Sequence, residues 1–145
     1  MRYVLAARVV AALAGFAFIG LPLGEAAASV CSDATLRGGY GYTVTGTLFT
    51  EAGEAVFTAV GRIEFDGRGD FINRRTITIN GETEENVEGT GSYTLSSDCT
   101  GTLTFIDPGQ ELPLNANIVV DDRGKEIRMI TTAPDVQLTV IGRKQ

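Results

Sequence analysis

The stretch DGRGDFINRRTITINGETEEN, residues 66–86, decides how the chain is read. Asp66-Gly67 and Asn80-Gly81 are hairpin dipeptides, because the tightest hairpin turns need positive φ, which Gly and Asn tolerate. Between them Phe71, Ile77 and Ile79 recur at even spacing, the period of a strand with one wet and one dry face. Counting by twos places Asn73 and Arg75 on the apolar side, and Arg74 on the other side with Ile72, Thr76 and Thr78. Arg74 is therefore expected in solvent. Arg75 falls on the inner face, where a charge must reach a mouth, pair with a carboxylate or meet a ligand. A bulge between residues 71 and 77 would reset that count.

The same alternation continues on both sides of this stretch. Upstream, Tyr40, Tyr42, Val44, Gly46 and Leu48 form one apolar series, and Phe57, Ala59, Gly61, Ile63 and Phe65 a second, set against Thr58, Arg62 and Glu64. Downstream, Val87, Gly89, Gly91, Tyr93 and Leu95 alternate with Glu88, Thr90, Ser92 and Thr94. By this count Glu84 and Glu88 share a face and Glu85 points the other way. Further series follow at Leu103 and Phe105, then Leu112 to Val120, then residues 125–132, then Val136, Leu138 and Val140. They are separated by the turn-like segments SSDCTG, DPGQ, DDRGK and APD.

This predicts about eight strands of roughly 6 to 12 residues and no helix after the N-terminal region. Short connections favour pairing of sequence neighbours, and a meander of eight strands removes its two open edges by closing. The expected fold is all-β, an antiparallel up-and-down barrel of about eight strands, with a two-sheet β-sandwich as the alternative. Glycines at 61, 89, 91 and 101, within or at the ends of strand runs, suit the coiling that closure requires.

The first 28 residues read differently. Arg2 and Arg8 precede an apolar run from Val9 to Leu23, and Ala26 and Ala28 are the small residues a signal peptidase prefers before Ser29. The run is about 15 residues, short of the roughly 20 that span a bilayer. Residues 1–28 are expected to be a signal-peptide helix and residues 29–145 a single barrel domain that is secreted or periplasmic, with no membrane association after cleavage. Val30 before Cys31 does not suit lipidation. The leader carries Arg2, Arg8 and Glu25, so its loss takes the net charge from −6 to −7. That charge makes nucleic acid and anionic lipid poor partners.

Cys31 and Cys99 are the two cysteines, and in an exported domain they are expected to pair as a disulfide. The chain has no histidine, which removes Ser-His-Asp and Cys-His nucleophile systems and the usual zinc sites. No cofactor or metal is expected. Glu82, Glu84, Glu85 and Glu88 are the densest acidic group and read as a solvated hairpin that keeps its edge from aggregating. Arg68-Gly69-Asp70 reads as part of a turn rather than as an adhesion motif, and Asp121-Asp122-Arg123-Gly124 as a turn rather than a calcium loop.

Taken together, GYGYTVTGTLF, AVGRIEFDGRGDF, VEGTGSYTLSSDCTGTLTF and GKEIRMITT resemble a group of uncharacterised exported bacterial proteins. The shared marks are a G-x-I/L-x-F-D-G-x-G turn, a G-S-Y strand and an S-D-C-T-G turn. The resemblance implies a lipocalin-like or allene-oxide-cyclase-like barrel and carries no activity with it. The G-x-W of lipocalins is replaced here by Gly41-Tyr42-Thr43, and the chain has no tryptophan.

An eight-stranded barrel is just wide enough to be filled by side chains or to hold one small ligand. Tyr40, Tyr42, Phe57, Phe65, Arg75 and Tyr93, with Phe71, are the expected lining of such an interior. The expected function is non-catalytic, either binding of a small apolar or amphipathic molecule or service as a stable envelope module. The alternative is a cyclase-type enzyme using shape, a tyrosine and a carboxylate such as Glu64. If the inward aromatics meet across the axis, the interior is full.

Overall fold

The computed structural model describes residues 30–109 and 112–145; the expected signal peptide lies outside them. Eight strands follow in chain order: β1 (Arg37–Thr50), β2 (Gly53–Asp66), β3 (Asp70–Ile79), β4 (Glu82–Leu95), β5 (Thr100–Ile106), β6 (Leu114–Asp121), β7 (Glu126–Thr131) and β8 (Val136–Lys144). Each pairs antiparallel with its sequence neighbour, and β8 returns to β1 from Tyr40↔Lys144 to Leu48↔Val136, closing the barrel. The up-and-down barrel therefore replaces the sandwich alternative. Leu112 is a correction to the sequence reading. It is 80% exposed in the β5–β6 connection, and the strand begins only at Leu114.

Turn chemistry sets the register. Ile79↔Glu82 leaves Asn80-Gly81 as a two-residue loop with φ of 49° and 92°, the geometry of a tight hairpin turn. At the other end of β3 the Asp66 carboxylate accepts from the backbone N–H of Arg68 (2.7 Å) and of Asp70 (3.1 Å). Those backbone hydrogen bonds hold its carboxyl below the usual range. Arg68-Gly69-Asp70 is thus built into a turn.

The β2–β3 ladder runs unbroken from Phe57↔Ile79 to Phe65↔Phe71, so the alternation of β3 survives intact. The irregularity lies on β4. Pairing with β3 passes from Arg75↔Val87 to Ile77↔Glu84, so β4 carries one residue more than β3 around Glu85 and Asn86, and Asn86 takes a φ of 60°. This bulge corrects the expected faces. Glu84 joins Ile77 on the inner side, whereas Glu88 lies on the outer wall opposite Arg74.

One end of the barrel is closed. The segment before β1 lies beneath it, tied to the β4–β5 turn by the Cys31–Cys99 disulfide (Cα–Cα 5.0 Å). The Tyr93 hydroxyl is within hydrogen-bond distance of the carbonyls of Asp33 (2.9 Å) and Leu36 (3.0 Å). The Leu95 N–H donates to the Asp33 carboxylate at 2.7 Å, and the Tyr40 hydroxyl donates to the Gly124 carbonyl. Above this plug, Phe65 meets Tyr40, Phe71 and Tyr93 edge to face at centroid distances of 5.5, 5.6 and 5.1 Å. Such contacts stabilise this section beyond the area they bury.

Candidate functional site

The expected lining residues divide into two groups. Tyr40, Phe65 and Tyr93, with Phe71, pack against one another in the closed half, each 3% exposed or less. Tyr42, Phe57 and Arg75 lie toward the opposite end, where the inward side chains shrink to Val44, Ala116 and Val140. There the barrel holds a cavity of about 180 Å³, walled by Leu48, Phe105, Leu114, Met129 and Leu138 among others and open at the end away from the plug. Four aromatic rings pack together in one half, and smaller side chains such as Val44, Ala116 and Val140 leave room in the other.

Arg75 sets the chemistry of the cavity. Its guanidinium donates to the Asn73 side-chain carbonyl (2.6 Å) and to the Asp107 carboxylate (2.5 Å). The side chains of Arg75 and Asp107 are only 12% and 11% exposed. A pair this dry is stable only when its geometry and hydrogen bonds offset the loss of hydration. Glycines on both neighbouring strands make the room. A Cβ at Gly61 would stand 2.6 Å from the Arg75 Cβ, and one at Gly89 would stand 2.4 Å from Asp107 Oδ1. Any side chain at either position would push into the pair.

Glu64, the carboxylate considered for a cyclase, does not join the cavity. It faces solvent on the outer wall, 3.7 Å from Arg62. Arg74 is also outside, bonded to Glu88, with both side chains about two-thirds exposed. The residue that sequence reasoning missed is Asp107. It reads as the first residue of a DPGQ turn, and turn aspartates ordinarily bond their own backbone. Here it directly follows β5, where the β4–β5 ladder ends at Thr90↔Ile106, and it reaches in over Gly89 to Arg75. The signal that could have found it was Arg75 itself, a charge among inward apolar residues that needed a partner.

Tyr42 lines the same cavity. Burial pushes its hydroxyl pKa up to about 12, with Asp107 adding to the rise and Arg75 opposing it. Tyr93 is likewise pushed up to about 12 by burial, and Tyr40 is raised by burial. All three hydroxyls are therefore neutral donors at physiological pH. Because native pKa values lie above the unfolded value near 10, the unfolded chain releases protons first as pH rises. Stability from Tyr42 and Tyr93 is full below about pH 10 and falls between about pH 10 and 12, and Tyr40 contributes in the same direction. A spectroscopic titration of the chain from Ser29 onward should show little tyrosinate at about pH 10.5 when native and substantial tyrosinate when unfolded in denaturant. Coincident native and unfolded curves would contradict this environment for the three tyrosines.

A larger groove of about 650 Å³ runs over the outer wall between Ile72, Thr90, Ile106 and Pro108. It is shallow and open to solvent, and the charged pairs Arg62–Glu64 and Arg74–Glu88 line it already matched. The interior cavity, with a nearly dry ion pair in its wall, is the site with chemical character. Comparison of the chain with family models, curated proteins and solved structures finds no match.

Proposed function

We propose that this is an exported, non-catalytic barrel that holds one small apolar or amphipathic molecule in the cavity at its open end. The observation that carries the reading is the division of the interior, with a packed aromatic half above the disulfide plug and a hollow, mainly apolar half beyond it. An apolar cavity of roughly 150 Å³ is enough to hold benzene in a protein, so a volume of this order suits a compact ring or a short chain. Tyr42, Arg75 and Asp107 supply the few polar groups that orient a ligand among apolar walls. The Cys31–Cys99 bridge supports an oxidising, secreted or periplasmic setting. A lipocalin-like kinship fits this use of a barrel. The cyclase-type alternative would have to work through Tyr42 and Asp107, since Glu64 lies outside.

Native mass spectrometry of the protein purified from its own host tests the proposal. The expected result is a population carrying one small organic molecule, lost when Ala116, which is 2% exposed on the cavity wall, is replaced by Phe. A mass equal to the bare chain, together with no uptake from a panel of small apolar compounds, would argue against it.

A further inference from the structure

If the cavity holds a ligand, as proposed above, its charges restrict what that ligand can be. Among the described residues the one cation in the wall, Arg75, already has Asp107 as its counter-ion at 2.5 Å. The interior therefore offers no net positive charge to an entering carboxylate, and it sets an existing carboxylate beside it. Like charges sharing a dry site repel strongly.

The rest of the open end points the same way. No lysine or arginine occurs in residues 43–61, 76–121 or 129–142, which include the strand ends and turns at the open end of the barrel. Exposed carboxylates stand around it instead: Glu51 and Glu54 by the β1–β2 turn, Glu82 and Glu84 at the tip of the β3–β4 hairpin, and Asp135 before β8. Glu82 and Glu84 pair with Ile79 and Ile77, which line the cavity, so both lie on its side of the hairpin. Arg37, Arg68, Arg123, Lys125, Arg143 and Lys144 belong to the closed end. The unmatched carboxylates around the mouth disfavour anions approaching it.

The hydrogen-bonding inventory narrows the choice further. Asp107 Oδ1 and Asn73 Nδ2 are buried with no hydrogen-bond partner among the described residues, and Asn73 is only 4% exposed. Both lie over Gly89, but of the two residues only Asp107 lines the cavity. The Asp107 carboxylate, an acceptor with a lone oxygen still awaiting a donor, is therefore the group offered to a molecule in the cavity. A hydroxyl group can donate to it, an ester has no proton to donate, and a carboxylate opposes it. We infer that the cavity selects an uncharged ligand bearing a hydroxyl group, and that Asp107 is the residue that sets this selectivity.

Three probes with a common tail test the inference: 1-octanol, methyl octanoate and octanoate, titrated into the chain from Ser29 onward by calorimetry or NMR at neutral pH and low salt. The expected order is alcohol, then ester, then acid, with octanoate at least about tenfold weaker than octanol. In Asp107→Asn the freed Arg75 should raise octanoate affinity about tenfold and reverse the order. If that variant does not fold, Glu82→Gln/Glu84→Gln, which changes only exposed side chains, should narrow the wild-type gap severalfold. Octanoate binding as tightly as octanol to the wild type would overturn the inference and leave the ligand-binding reading standing. An unchanged order in folded Asp107→Asn would overturn the role of Asp107, and an unchanged gap in the glutamate variant would overturn that of the mouth. Failure of all three probes to bind would overturn the ligand-binding reading itself, and the inference with it.

Discussion

Reducing the Cys31–Cys99 bridge should lower the melting temperature by roughly 15 °C or more, corresponding to about 4 kcal/mol of stability. The two cysteines are 68 residues apart, so the bridge closes a loop of more than half the domain and withdraws much conformational freedom from the unfolded chain. The bridge also anchors the plug. Without it, the hydrogen bonds from Tyr93 to Asp33 and Leu36, and from Leu95 to Asp33, must hold the N-terminal segment alone. Cys31→Ser/Cys99→Ser should behave like the reduced protein. A shift below about 5 °C on reduction would show that the plug contributes little and that the barrel is stable without it.

The second large effect concerns the ion pair. Asp107→Ala should destabilise the protein by about 3 kcal/mol or more, because it strands the Arg75 guanidinium in a nearly dry site. Arg75→Ala strands the carboxylate in the same way. Replacing both, as Arg75→Met/Asp107→Leu, should recover most of the loss, since apolar residues of similar volume can substitute for a buried pair. The neighbouring Arg74→Ala breaks only an exposed pair with Glu88 and should change stability by no more than about 0.5 kcal/mol. Urea denaturation of the four variants checks the pattern. Equal, small effects at positions 74, 75 and 107 would falsify the assignment of a buried pair.

Much of the architecture could be read from local chemistry. Even-spaced apolar residues and turn dipeptides gave eight strands, and short connections gave neighbour pairing and closure. The alternation of β3 placed Arg75 inside and Arg74 outside, as the ladder with β2 has it. What the alternation could not carry was the extra residue at Glu85 and Asn86. A bulge is set by how two strands fit, and nothing in the β4 sequence marks it, so the face of Glu84 was misread. Nor could it place Asp107, whose role arises because β5 ends beside Gly89 and the next residue reaches across to Arg75. The division of the interior was similarly out of reach. It depends on which inward aromatics share a level of the barrel, and therefore on strand stagger, not on the order of residues within any one strand.

The central claim, that the open half of this barrel is a binding cavity, is tested most directly at Met129. The chain from Ser29 onward contains this one methionine, and it lies in the cavity wall, 5% exposed. With its methyl group labelled with carbon-13, the protein gives a single reporter within the site. Titration with 1-octanol should move that resonance saturably, and Ala116→Phe, which occupies the same space, should abolish the movement. A methyl resonance that stays fixed while octanol reaches its solubility limit would contradict the account.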